Sequence, residues 1–591
     1  MTTMTKMKGV ATAFSFAALM SVGGASLASA EDVTLTMAVP DWPPTRIMKK
    51  FFDEQYKPKS GNTVKLEVDF IPWPDFYTRV NASLTSGEQK YNFIVSDSQW
   101  LGAFVEGGYF RKINDLLDAD PEFMATFKTI HPNPLNAYST YPHKTENYYG
   151  FPQFPDVLVN YARQDIICHD EEQKNFQAKY GKKLPCTGEE LDAMTWDDFK
   201  NVGEFFQRKK GDMLAGAPAD DDFYGIAYQA GKGYDFSSMQ INGFIWQMGG
   251  DTWDETKAPK GQAEGVVNSP AAVAALDKYL SLIQYMPPVA KTGTMDIFVS
   301  DQLFREGKVA MNIDWIGLGE ASLAADSKVK DKLVFGQMPG TMGPDGKMIR
   351  WSNIGGQPFV LTTWTTDSQI KEAVEFVKWW LSPEIQHQFA AGGGQPAIKS
   401  VYEDPKYVTY RPWNRAWAPQ LDWQKDVWHV PQFFELLTQQ QDQFDLAITG
   451  KQDAKTTLDN IAKFQQNLLK EAGLIAEIIR GAILAVPGGQ MMAARSIGMP
   501  RFKAIWHVIL PQAFRHAIPP WSNEAAIVIK DSSLVYVLGV PEILRQAQYY
   551  SAREYQPFLA YLTVAFIYFL LTFITNRGLD ALEKRIRIPG F

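Results

Sequence analysis

The sequence predicts a mixed α/β body built on a parallel sheet, followed by a shorter all-α end of membrane character. Three observations predict it. Short apolar runs alternate with helical stretches from Val33 onward. Pro557 to Asn576 is a stretch of 20 residues without a charge. Charge is also unevenly spread: residues 471–591 hold 12 Lys and Arg against 8 Asp and Glu, and the remainder holds 46 against 58. At about 150 residues per domain, 591 residues make about four domain-sized units. A mean hydropathy of −0.23 excludes a polytopic membrane protein as a description of the whole chain. The 13% aromatic content excludes global disorder. A net charge of −8, with no finger or knuckle spacing, argues against nucleic acid as a partner.

The elements follow in chain order. Lys6 and Lys8 precede an apolar stretch from Val10 to Val22, and Ala28-Ser29-Ala30 reads as a small-residue cleavage site. Residues 1–30 therefore read as a secretory signal peptide, which makes the body an exported, periplasmic one. An uncleaved anchor is the other reading, but the run is short for a bilayer. Cys168 and Cys186, the two cysteines, are expected to pair in that oxidising compartment, with free thiols as the alternative. They and His169 make no tetrahedral metal site.

Val33 to Val39 alternates as a strand, Arg46 to Tyr56 is helical, and Val64 to Phe70 is a second strand. A helix from Phe76 to Thr85 then leads to the apolar run Asn92 to Ser96. This βαβαβ order implies helices on both faces of a parallel sheet, with ligands outside the carboxyl ends of its strands. Those ends carry Trp42, Trp73, Asp97 and Trp100.

Several stretches now carry a resemblance. Asn92 to Trp100 is a hydrophobic strand followed by an acidic-aromatic loop. Tyr149 to Gln153 and Val157 to Tyr161, Thr195 to Phe199, Tyr224 to Ala227, Trp246 to Asp251, and Phe304 to Met311 running on to Asp314-Trp315 follow in order. Gly355-Gly356, Ala373 to Leu381 and Gly450 complete the set. Residues 31–470 resemble the extracellular solute-binding proteins of ABC importers, in the carbohydrate-binding family that includes the maltose-binding proteins. The resemblance implies a type II, two-lobed periplasmic-binding-protein fold with a hinge. One lobe is expected at about 31–150 with roughly 310–360. The other takes about 160–300 with much of the C-terminal helical region.

A sugar presents CH faces to aromatic rings and hydroxyls to polar side chains. Trp42, Trp73, Trp100, Trp246 and Trp315 are the candidate stacking residues, and Asp97, Gln153, Asn242, Asp314 and Gln357 the candidate polar partners. Gly355 and Gly356 are expected to let backbone amides approach the ligand. No catalytic, cofactor or metal motif is found. Asp220 to Asp222 lack calcium-loop spacing, and Gly340 to Lys347 has the wrong spacing for a phosphate loop. A solute-binding component for a sugar or polyol is the leading reading. An amino-acid binder and a secreted glycoside-active enzyme are the alternatives, since glycosidase carboxylates cannot be read from spacing.

Residues 471–591 resemble a different family. Gln490 to Gly498 and Val508 to Pro511 are similar to the coupling loop of ABC-importer permeases. Ala493, Ala494, Gly498, Leu510 and Pro511 fit its spacing, and Met492 stands where the pattern leads with Glu. The flanks Ala476 to Gly481, Pro519-Pro520, Lys530 to Leu534 and Gly539 to Pro541 resemble polar-amino-acid permeases. The resemblance implies permease subunits and a cytoplasmic ATPase as partners. Pro557 to Asn576 spans about 30 Å as a helix, a bilayer crossing, and Arg577, Lys584, Arg585 and Arg587 place the C-terminus in the cytoplasm. Gly473 to Val486 covers only about 21 Å and holds Glu477 and Arg480, too short to cross alone. The helices that precede the loop in such permeases are not found upstream of it. The join reads either as a working fusion or as a truncated or recombined gene product.

Overall fold

The computed structural model of the protein describes residues 31–257, 261–518 and 557–586. The expected signal peptide, and the permease-like flanks beyond residue 518, lie outside the described residues. In the first strand, Asp32–Pro40, the alternating Val33, Leu35, Met37 and Val39 are all buried. It pairs in parallel with Thr63–Ile71, in register from Asp32 with Thr63 to Pro40 with Ile71. Phe93–Val95 adds in parallel on its other side. The crossovers are helices Pro43–Gln55 and Trp73–Thr85, each with proline in its opening turn, where no N–H partner is lost. The expected βαβαβ unit is present.

The chain then runs through Gly150–Asp156 at the edge of this first sheet and leaves it. Leu158–Arg163, only two residues on, is already in a second sheet, ordered Leu333–Gln337, Leu158–Arg163, Val309–Trp315, Tyr224–Ala227. The return is made by Gly355–Leu361, antiparallel between Phe93–Val95 and Gly150–Asp156. Two sheets joined by these crossings define two lobes.

The expected boundaries need correction. Residues 309–337 pair within the second sheet, so of the 310–360 segment assigned to the first lobe only the last few residues return there. The strand Val309–Trp315 is committed by its parallel partner Tyr224–Ala227, which the sequence order alone does not disclose. Helix Asp367–Trp380 packs on the first strand, and its last residue, Trp380, is fully buried. Helices Phe433–Ile448 and Ala454–Leu484 pack on the second lobe through Phe236–Gln247 and Pro270–Leu282.

Cys168 and Cys186 form a disulfide, Cα to Cα 5.1 Å, with a sequence separation of 18. Closing a loop of that length restricts the unfolded chain by roughly 3 kcal/mol. Replacing both cysteines by serine is expected to destabilise the second lobe by about that amount. Denaturant unfolding of the variant, with the wild type measured with and without reductant, checks it; equal midpoints contradict it.

Helix Ala454–Leu484 runs without a break through residues 470 and 471, where the sequence placed the join. Beyond it, Gly488–Ser496 carries Met492 on its exposed side and Ala494 buried, and Ala493 between them accepts the Ser496 hydroxyl. Gly498 has φ +86, and the N–H groups of Gly498 and Met499 return to the carbonyls of Arg495 and Ala494. This left-handed helix stop explains why the motif needs glycine there. Leu510 and Pro511 follow the π-helical turn Ile505–Ile509, and Ile509 packs with Val486 and Ala513.

Pro557–Ile586 is one helix of 30 residues. Among the described residues, however, no helix is long and apolar enough to cross a membrane. The crossing expected at 557–576 falls within this 30-residue helix.

Candidate functional site

The register of the first sheet builds one wall of the site. Pro40 pairs with Ile71, so residues two beyond each strand end come side by side. These are Trp42 and Trp73, whose rings stack at 5.1 Å with planes 11° apart. Asp97 stands two residues beyond Val95 and caps a short helical turn by accepting the Gln99 N–H at 3.2 Å. The opposite wall comes from the second lobe. Trp315 ends its strand, and Asp235 and Phe236 open the helix Phe236–Gln247.

Gly355, Gly356 and Gln357 close the space between the walls, with Asp156 beside them. A Cβ on Gly355 would lie 2.3 Å from the Trp315 ring, so this glycine makes room for the indole. Gly356 has φ +95, and a Cβ there would lie 2.2 Å from the Phe154 carbonyl oxygen. One glycine seats an aromatic ring and the other turns the returning strand, and both line the chamber.

The chamber between the walls measures about 30 Å³. Trp42, Trp73, Asp97, Trp315, Gly355, Gly356 and Gln357 line it together. Trp246 lines a second, larger basin of about 710 Å³ with Trp253 and Trp351, and Ile354 borders both spaces. Four predicted residues line neither. Trp100 is fully buried in an aromatic cluster with Phe76 and Phe104, its indole N–H donating to Tyr234. Gln153 is buried within its strand, and Asn242 exchanges hydrogen bonds with Gln440. Asp314 accepts from the Trp315 N–H at 2.9 Å and the Asn312 amide at 3.2 Å.

Burial dominates the electrostatics. It pushes Asp97 up to about 7, with the Asp426 charge adding to the effect. It pushes Asp156 to about 7 as well, against hydrogen bonds from the Val157 and Gly317 N–H groups. Asp235 is raised by burial and then by the charge of Asp97. Asp156 and Asp235 were missed by sequence reasoning. Asp156 ends a strand and was legible on that ground; Asp235 precedes a helix that carries no other signal. Among the described residues, no group of three or more His, Cys, Asp or Glu is placed to hold a metal ion.

Side chains of the two lobes meet across the site. Gln99 donates to Asp235 at 3.4 Å, and the Tyr234 hydroxyl reaches Asp97 at 3.4 Å. On the rim, His143 and Lys144 of the first lobe meet Glu255 of the second at 3.0 and 2.8 Å. The His143 hydrogen bond, then Lys144, hold Glu255 down at about 2 against its partial burial. A depressed carboxylate stabilises the closed form above its ordinary pKa, and that stabilisation is lost as pH falls towards 2. The pair is partly exposed, so Glu255→Gln is expected to weaken closure by only about 1 kcal/mol. Small-angle scattering with saturating solute tests it, and an unchanged closed fraction contradicts it.

Two hinged lobes with an aromatic-walled chamber between them define a binding protein that closes on a small solute. The family of bacterial extracellular solute-binding proteins matches residues 51–412, and the chain belongs to it. Residues 453–588 match a second family, the inner membrane component of binding-protein-dependent transport systems. Both families are transport components.

In fold, the chain is similar to an ABC transporter solute-binding protein from Agrobacterium radiobacter K84 in complex with ribitol. The TM-score is 0.58 at 20% identity, covering 74% of this chain and 98% of that one. It is also similar to maltose-bound MalE3 of T. maritima, with a TM-score of 0.56 at 21% identity over 74% and 99%. The C-terminal part is 42% identical over 117 residues to the octopine transport system permease protein OccQ of Rhizobium meliloti, 20% of this chain and 49% of that protein. It is 44% identical over 112 residues to the L-cystine transport system permease protein TcyB of Bacillus subtilis, 19% and 48%. The chain spans about half the length of the curated relatives it matches.

Proposed function

We propose that the protein captures a sugar or polyol by closing its two lobes, as the solute-binding component of an ABC importer. The observation that carries this reading is the chamber walled by Trp42 and Trp73 from one lobe and Trp315 from the other, with Asp97, Asp235 and Gln357 among the rings. Ring faces suit CH groups, and carboxylate and amide oxygens suit hydroxyls. Only a solute touching both walls favours closure. The ribitol and maltose named for two structural neighbours fit that chemistry.

Intrinsic tryptophan fluorescence across a panel of sugars, polyols and amino acids tests the reading. Saturable change with sugars or polyols supports it. A response to amino acids alone would transfer the assignment to the solutes of the C-terminal relatives. Steady release of hydrolysed product would make the protein a glycoside-active enzyme.

The proposal extends to the domains: a cleaved leader at 1–30, the binding body at 31–470, and a permease segment at 471–591. The body then lies in the periplasm and the C-terminal segment in the inner membrane. The exposed Leu562, Phe566, Phe569 and Ile574 support a lipid-facing or helix-facing role for the last helix. The loop at 490–511 is the proposed contact with a cytoplasmic ATPase. Co-purification of an ABC ATPase, lost on deletion of that loop, tests the coupling; absence of any such ATPase leaves a binding protein alone.

A further inference from the structure

Closing the lobes brings two buried carboxyl groups, both with a pKa raised by burial, into one chamber. Asp97 belongs to the first lobe and Asp235 to the second, and both line the one chamber. Gln99 bridges them, its backbone N–H on Asp97 at 3.2 Å and its amide on Asp235 at 3.4 Å. No Lys or Arg is among the described residues that line the chamber. Two further basic groups among the described residues are committed to other partners. Lys425 pairs with Asp251 at 2.6 Å, and His429, 3.4 Å from Asp426, is buried and held neutral. Asp156, the third carboxylate of the lining, is occupied by backbone N–H groups.

Independent observations point to a missing donor. Gln357 and Gln99 line the chamber, are 2% and 3% exposed, and each has a side-chain oxygen without a hydrogen-bond partner. A buried acceptor left unmade costs free energy, and two carboxyl groups out of water ionise together only when a cation compensates them. The chamber of about 30 Å³ matches one water-sized group. The adjoining basin of about 710 Å³ has room for the body of a solute. The chamber's indole faces also attract cations.

We propose that the solute is a polyhydroxylated amine, whose ammonium group enters the chamber between Asp97 and Asp235 while its hydroxylated body lies in the basin. This rests on the carbohydrate reading above and narrows it. An ammonium group supplies three donors and the positive charge that favours the ionised form of both buried carboxyl groups.

The test uses the full chain, purified in detergent, with binding followed by calorimetry. The probes are matched pairs of a neutral sugar or alditol and its amino counterpart, such as glucose with glucosamine and sorbitol with glucamine, plus putrescine as an amine without hydroxyls. At least tenfold tighter binding of the amino member is expected. Asp235→Asn should abolish that preference, with Asp97→Asn as the second variant where the first does not fold. Equal or tighter binding of the neutral member overturns the ammonium proposal and leaves the carbohydrate reading standing. Binding of putrescine without any sugar supports the cation and overturns the carbohydrate reading. Binding of no probe overturns both.

Discussion

Trp315→Ala is expected to weaken solute binding by about tenfold to a hundredfold. Trp315 is, with Phe236, an aromatic contribution of the second lobe to the chamber that Trp42 and Trp73 also line. Removing the indole from the chamber wall forfeits roughly 1.5–3 kcal/mol of apolar burial in the closed, solute-bound form. It also removes part of what a solute touches on one lobe, so closure itself is weakened. Titration calorimetry measures the loss, and Trp315→Phe should recover part of it because a smaller ring still covers Gly355. Wild-type affinity in the alanine variant would remove the chamber from the binding site.

Gly356→Ala is expected to destabilise the binding body by about 3 kcal/mol or more. At φ +95 an L side chain is strained, which costs on the order of 1–3 kcal/mol. The added Cβ also meets backbone, the Phe154 carbonyl oxygen at 2.2 Å and the Asp156 nitrogen at 2.7 Å, so no side-chain rotation relieves it. Overpacking of that kind costs a further 1–3 kcal/mol. Gly356 pairs with Pro155 at the point where the chain re-enters the first sheet, so the strain falls on the hinge. The unfolding midpoint in denaturant is the readout; a midpoint equal to that of wild type refutes the account. Gly61, with φ +78 and open space around its Cβ position, is the comparison site, where only the smaller backbone penalty is expected.

Much of the first wall was legible because it depends on local pattern. Strand alternation located Asp32–Pro40 and Thr63–Ile71, and the residues just past parallel strand ends are where such sheets present side chains to ligands. Trp42, Trp73 and Asp97 follow from that rule. The same rule misplaced Trp100, since one further turn of helix points its ring into the cluster with Phe76. Asp314 failed for a related reason: it sits in the strand next to Trp315, and alternate residues face opposite sides, so its carboxylate turns to Asn312.

Asp235 shows the limit most plainly. It lies 138 residues after Asp97, in the other lobe, and only lobe closure makes them neighbours. The sequence by itself determined the first βαβαβ unit, the two wall tryptophans, the disulfide partners, and the glycine that stops the helix at Gly498. These depend on periodicity, backbone conformation and compartment, all of which are local or compositional. The tertiary structure decided which strands belong to which lobe, which glycine seats Trp315, and that two buried carboxyl groups share a chamber with no Lys or Arg among its described lining residues. Those are long-range pairings, set by sheet order and hinge geometry, and no spacing along the chain encodes them.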